Sequence, residues 1–372
     1  MNFEFAEEQM MLRDQARGLL QDHCPPAVVR RVLDTDELYA ADLWRTMAEM
    51  GWTATTIPEE YGGLGLSYLE LAVIAEELGR AAAPVPFSSS VYLATEALML
   101  AGSKAQKAEW LPKLASGEIV ATFAYAEGGG QPSADRLETV ARKGQLSGTK
   151  PVVADAPIAQ VAVVVAASDK GDGATMYLVP LDQDGVTLEP IATVDPTRPH
   201  AHLVLNNADA ERLGADGQGW RMLQSILDRA AVLFAWEQLG GSDACLDMAK
   251  EYALGRYAFG RPIASYQAIK HKLADMYVKN TLARSNAYFG AWALNTNADE
   301  LPLAAATARV GSTQAYYYAS KENIQTHGGM GYTWEFDCQF YYRRSKLLAV
   351  AIGSEHLWQE KLIKAARSAH AA

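Results

Sequence analysis

The stretch YALGRYAFGRPIASYQAIKHKLADM (residues 252–276) sets Arg256 three residues ahead of Phe259, and Gln267 seven residues after Gly260. A guanidinium presents a planar fork of donors that suits a diphosphate. Read as one continuous helix, the segment puts Phe259 on the face of Arg256, where it can pack against an adenine or a ribose. A second stretch, IQTHGGMGYTWE (324–335), carries Gln325, which can bond a hydroxyl or a phosphate, and Gly328 and Gly329, which let a backbone approach a nucleotide closely. Each has a plain alternative: Arg256 alone is a surface charge, and the glycine pair alone is a helix C-cap.

Outward from these stretches the periodicity is helical. Met222, Leu223, Ile226, Leu227, Ala230, Leu233 and Phe234 form one stripe, and residues 268–294 and 305–329 read as further long helices, enough for a bundle. Upstream, QVAVVVAAS, ATMYLVPL and HAHLVLNNA are short β-branched runs separated by DKGDG and DQDG turns. No long helical pattern lies between them, so an antiparallel sheet or barrel is expected rather than βαβ units. No GxGxxG follows a strand, which argues against a Rossmann site. Before the strands, LWRTMAEMGW and YLELAVIAEELGRA are amphipathic helices, and PEEYGGLGLS is a glycine-rich connector. The expected fold is α+β: an N-terminal helical domain over residues 1–120, a middle antiparallel β-barrel or sandwich over 121–212, and a C-terminal four-helix bundle over 213–372.

Composition narrows the function. The chain has 372 residues and a formal net charge of −11, which disfavours nucleic acid as a partner. Cys24, Cys245 and Cys338 are few and widely spaced, so neither a disulfide framework nor a metal site is expected, and a cytoplasmic location is the simplest. The opening MNFEFAEEQM is acidic and does not read as a signal peptide, and no run is apolar enough to span a membrane.

With IPEEYGGLGLS (57–67) and the helical–β–helical order, the two stretches resemble the acyl-CoA dehydrogenase family over essentially the whole chain. The resemblance implies FAD as cofactor, an acyl-CoA as substrate, an electron-transfer flavoprotein as acceptor, and a tetrameric oligomer. In that family the ADP half of the flavin is held by the Arg and Gln-x-x-Gly-Gly elements of a neighbouring subunit. Arg256, Phe259, Gln267, Gln325, Gly328 and Gly329 match those elements. The ring half departs from the pattern. The usual Leu-Thr-Glu-Pro strand end corresponds to YAEGGGQPSAD (125–135), with Ala126 in place of the threonine. The shielding Trp-Ile-Thr corresponds to VVA, with Val152 and Ala154 in place of the tryptophan and threonine.

The family's reaction is α,β-dehydrogenation of an acyl-CoA thioester, in which a carboxylate removes the Cα proton while the flavin accepts hydride from Cβ. The resemblance puts that carboxylate at either of two positions. Here they hold Ile352, in LLAVAIGSEHLW (347–358), and Ala230. Three acids lie nearby: Glu355, Asp228 and Glu237. Glu355 is the candidate for a relocated base, although it reads first as a solvated acid at a helix end, and a displacement of one turn moves a carboxylate by about 5 Å. Asp228 matches the ordinary aspartate of the pattern, and Glu237 falls two turns late. GSEHLWQEKL resembles the divergent branch in which α₂β₂ enzymes of sterol side-chain degradation keep the base on one chain only. The leading expectation is a base-less subunit that completes the FAD site of an active paralogue, in fatty acid or steroid catabolism. The alternatives are a homotetrameric dehydrogenase with a relocated base, a non-catalytic structural subunit, and a flavin monooxygenase on the same scaffold.

Overall fold

The computed structural model describes residues 5–128, 132–168 and 173–371. Six helices come first: α1 (Glu7–His23), α2 (Pro26–Asp34), α3 (Ala41–Glu49), α4 (Tyr68–Arg80), α5 (Glu96–Ala101) and α6 (Lys104–Ala115). The strands follow: β1 (Ala121–Ala124), β2 (Val140–Arg142), β3 (Gln145–Ala154), β4 (Val161–Ala167), β5 (Ala174–Pro180), β6 (Val186–Ile191), β7 (His200–Asp209) and β8 (Glu211–Leu213). The long α7 (Gly219–Gly255) leads to a short ladder of β9 (Tyr257–Ala258) and β10 (Arg261–Pro262). The chain closes with α8 (Gln267–Asn295), α9 (Leu301–His327), α10 (Cys338–Val350) and α11 (Glu355–Ala371). Of the stretches quoted above, residues 1–4 of MNFEFAEEQM, 129–131 of YAEGGGQPSAD and 169–172 of DKGDG lie outside the described residues.

The chain divides into two compact units, one of residues 31–67 and 84–230, the other of 1–30, 68–83 and 231–372. In the first, the sheet runs β6-β7-β3-β2-β4-β5-β8, with β1 added alongside β4. It is mostly antiparallel and not closed, with β1–β4 and β2–β4 parallel. Val161 to Val165 in β4 are fully buried, which explains why that run reads as continuously apolar rather than alternating. Helix α6 starts at a capping box: the Ser103 hydroxyl accepts from the Gln106 amide at 3.2 Å, and the Gln106 side chain accepts from the Ser103 amide at 2.9 Å.

In the second unit α8 packs on α9, which also receives α10 and α11. Helices α4 and α7 meet at paired glycines. A Cβ on Gly79 would fall 1.7 Å from the Glu237 carbonyl oxygen, and one on Gly240 would fall 1.7 Å from that of Glu76. No larger residue allows backbones this close. Beyond the end of α4, the buried Arg344 donates to the Ala83 and Ala82 carbonyls at 3.1 and 3.2 Å, pairing backbone acceptors of the turn that follows the helix. The architecture is the expected one of N-terminal helices, a middle sheet and a C-terminal helical bundle.

Candidate functional site

The two informative stretches come together in the second unit. Helix α7 ends at Gly255, and the Arg256 amide still donates to the Tyr252 carbonyl at 2.8 Å. The chain then turns back as a hairpin, β9 paired with β10. Phe259 and Gly260 occupy its tip at φ of 52° and 78°. This corrects the expectation of one continuous helical face: Phe259 sits in a turn that requires positive φ at two successive residues. An aromatic there is sterically strained, by about 1–2 kcal/mol, and the residue is 96% exposed. The Tyr266 hydroxyl donates to the Ala258 carbonyl at 2.9 Å, and the Arg261 guanidinium lies 4.0 Å from the Tyr266 ring, fixing the hairpin to the start of α8.

Gln325 lies in the last turn of α9, followed by Gly328 at φ 62° and by Gly329. A Cβ at either glycine would meet nothing within 4 Å, so both present open backbone. The Gly328 amide donates to the Gln325 carbonyl and closes the turn. Arg256, Gln267 and Gln325 are exposed, and among the described residues their side-chain heads have no hydrogen-bond or ion-pair partner. Uncommitted donors beside open glycine backbone fit a diphosphate-bearing cofactor.

Sequence inspection missed what joins these segments. Tyr252 stacks on His327 with ring centroids 4.1 Å apart and planes 29° apart, and Phe336 meets both rings edge-on, at 6.0 and 5.5 Å. His327 Nδ1 lies 2.9 Å from the Asn323 carbonyl oxygen. Burial holds the imidazole below its usual pKa, with the bond to Asn323 opposing. The available signal was an aromatic residue one helical turn before Arg256 and a histidine directly before Gly328.

In the first unit, the segments carrying Ala126, Val152 and Ala154 are pinned together. The Thr122 hydroxyl on β1 donates to the Ala154 carbonyl at 2.5 Å. Lys150 on β3, fully buried, pairs with Glu127 and donates to the Val165 carbonyl at 2.6 Å. Burial lowers the Lys150 pKa against the opposing pull of Glu127. For Glu127 burial acts upward and is outweighed by Lys150 and by the Thr139 and Glu138 contacts, leaving its carboxyl below the ordinary value. Ala126 and Ala154 bring no polar side chain, and Val152, exposed, brings no aromatic surface.

Neither expected base position holds an acid. Ile352 is completely buried, and its carbonyl accepts from Trp358 Nε1 at 3.1 Å. Ala230 is equally buried on α7, beside an Arg229 that pairs with the buried Glu96. Glu355 begins α11, half-buried, with one oxygen accepting from Gln314 at 2.7 Å and Gln359 at 2.8 Å. Glu237 lies buried 3.8 Å from Arg344, and Asp228 is buried on α7.

Family models for the N-terminal and C-terminal domains of acyl-CoA dehydrogenase match residues 6–118 and 217–366. Acyl-CoA dehydrogenase IpdE2 of Mycobacterium tuberculosis is 34% identical over 340 residues, which is 91% of each chain. The chain belongs to the acyl-CoA dehydrogenase family. Members are FAD-dependent oxidoreductases acting on CH–CH groups, and FAD is the cofactor the exposed donors of the second unit fit. The ChsE4–ChsE5 complex from Mycobacterium tuberculosis superposes with a TM-score of 0.89 at 27% identity, covering 98% of each chain. A variant of the Tcur3481–Tcur3483 steroid ACAD superposes at 0.90 with 28% identity, covering 98% of this chain and 99% of that one. As an acyl-CoA dehydrogenase family member, the chain thus resembles, among others, a protein solved as a complex.

Proposed function

We propose that this chain is the base-less subunit of a heteromeric acyl-CoA dehydrogenase. In that role Arg256, Phe259, Gln267, Gln325, Gly328 and Gly329 complete the FAD site of a paralogous partner, which holds the proton-abstracting carboxylate. The observation that carries this is a contrast between two sets of positions. The donors toward the ADP half are exposed and uncommitted, while Ile352 and Ala230 are buried apolar residues where a base would stand. Bound flavin supplies the hydride acceptor. This chain's side chains bind and orient its diphosphate half, and its uncommitted donors have no evident purpose in a purely structural subunit. The likeness to the ChsE4–ChsE5 complex and to a steroid ACAD supports a tetramer with a paralogue and a bulky, steroid-type acyl-CoA. Electrons pass on to an electron-transfer flavoprotein. The acidic surface and three buried, unpaired cysteines suit the cytoplasm.

Flavin absorbance per chain tests this reading. The chain purified alone should carry little flavin, and the co-expressed assembly about half an equivalent per polypeptide. Full flavin occupancy of the isolated chain would favour a homotetramer with a relocated base, for which Glu355 is the residue to examine.

A further inference from the structure

Among the described residues, the donors assigned to the cofactor have no side-chain partners, so their relative placement depends on the backbone that carries them. The ends of α7 and α9 that carry it meet in an aromatic contact. Tyr252 stands one turn before Arg256 and accepts the Arg256 amide at 2.8 Å. His327 immediately precedes Gly328 and lies two residues after Gln325. The two rings stack at 4.1 Å, so the end of α7 and the end of α9 meet ring to ring. A carbonyl only accepts, so the Asn323 oxygen, 2.9 Å away, requires Nδ1 of His327 to carry the proton. This bond fixes the tautomer and the ring plane. Gly331 folds tightly over the same residue: a Cβ there would lie 3.1 Å from His327 Cβ and 2.6 Å from the Ile324 carbonyl oxygen. Phe336 closes the third side.

We propose that Tyr252 and His327 are positioning residues, a clasp that sets Arg256 against Gln325 and the Gly328–Gly329 turn and thereby sets how tightly this chain grips the diphosphate half of FAD. The proposal rests on the assignment of these donors to FAD made above. A competing role is ordinary core packing, in which the rings stabilise the unit without tuning the donors. The two roles differ in energetic coupling: a clasp that acts through Arg256 loses its effect once Arg256 is gone.

The test uses the flavin-holding oligomer, stripped of FAD and titrated with it while flavin fluorescence is followed. An aromatic pair of this kind corresponds to roughly a three- to tenfold change in affinity. Tyr252→Leu should raise the FAD Kd by about that factor, and Tyr252→Phe, which keeps the ring, should restore it. In an Arg256→Ala background, Tyr252→Leu should add no further loss. If Tyr252→Leu impairs assembly, Tyr252→Met carries the same expectations. An unchanged Kd in Tyr252→Leu, or a loss that adds in full to that of Arg256→Ala, overturns the clasp while leaving the donor assignment standing. An unchanged Kd in Arg256→Ala itself overturns the donor assignment and the clasp with it.

Discussion

Replacing Lys150 with methionine would strand a buried carboxylate beside the strand end that carries Ala126. The Lys150 side chain is 0% exposed and that of Glu127 only 7%, and the ammonium also donates to the Val165 carbonyl at 2.6 Å. Methionine nearly fills the volume of the lysine stem, so the cavity contribution is small. What remains is a Glu127 carboxylate without its counter-charge, bonded to the Glu138 and Thr139 amides. Removing one partner of a buried pair costs about 3–5 kcal/mol, against roughly 0–1 kcal/mol for an exposed pair. Urea unfolding followed by far-ultraviolet circular dichroism, with the sheet transition fitted separately, measures the loss. Lys150→Met should fall in the upper range, and Glu127→Gln combined with it should recover more than half. The pH dependence has a fixed sign. The folded state holds the Glu127 carboxyl below its ordinary value, so its contribution is complete above about pH 4.3 and is lost as pH falls through the folded value. The deficit of Lys150→Met should therefore narrow in acid, where the stranded carboxylate protonates. A loss below about 1 kcal/mol at neutral pH would refute the buried-pair reasoning.

Gly240→Ala should destabilise by several kcal/mol, or abolish soluble expression, because its Cβ would overlap the Glu76 carbonyl oxygen at 1.7 Å and no side-chain movement relieves backbone; calorimetry checks this. His327 has its imidazole pKa lowered by burial, so its contribution is complete above about pH 6.5 and declines as pH falls toward the folded value. Thermal stability of the wild type should accordingly fall below that pH more steeply than that of His327→Phe. Glu355→Gln should leave turnover of the co-assembled enzyme within about twofold, since a base contributes typically 10²–10⁴-fold; a hundredfold drop in steady-state rate would make Glu355 the base.

Much of the fold was legible because its signals are local. The 3.6-residue stripe from Met222 to Phe234 and the β-branched run of β4 each name an element without tertiary information. The parallel partners of β4 were not legible, because strand direction depends on non-local pairing that alternation does not encode. Phe259 was misplaced for a related reason. An arginine and a phenylalanine three apart satisfy helical spacing, and only the Gly260 that follows hints that both φ angles turn positive. The site's polar members were found by residue type and spacing. The stack of Tyr252 on His327 was not, since it joins residues 75 positions apart in the sequence through rings that look like ordinary core.

The central claim is that this chain completes a flavin site yet removes no proton, and steady-state reduction of a dye acceptor by acyl-CoA tests it most directly. The purified chain, supplied with excess FAD, should show only background reduction, because Ile352 and Ala230 provide no group to accept the Cα proton. Co-expression with a paralogue carrying glutamate at the position of either residue should raise turnover by the two to four decades typical of a positioned base. Robust acyl-CoA-dependent turnover by the purified chain alone would contradict it.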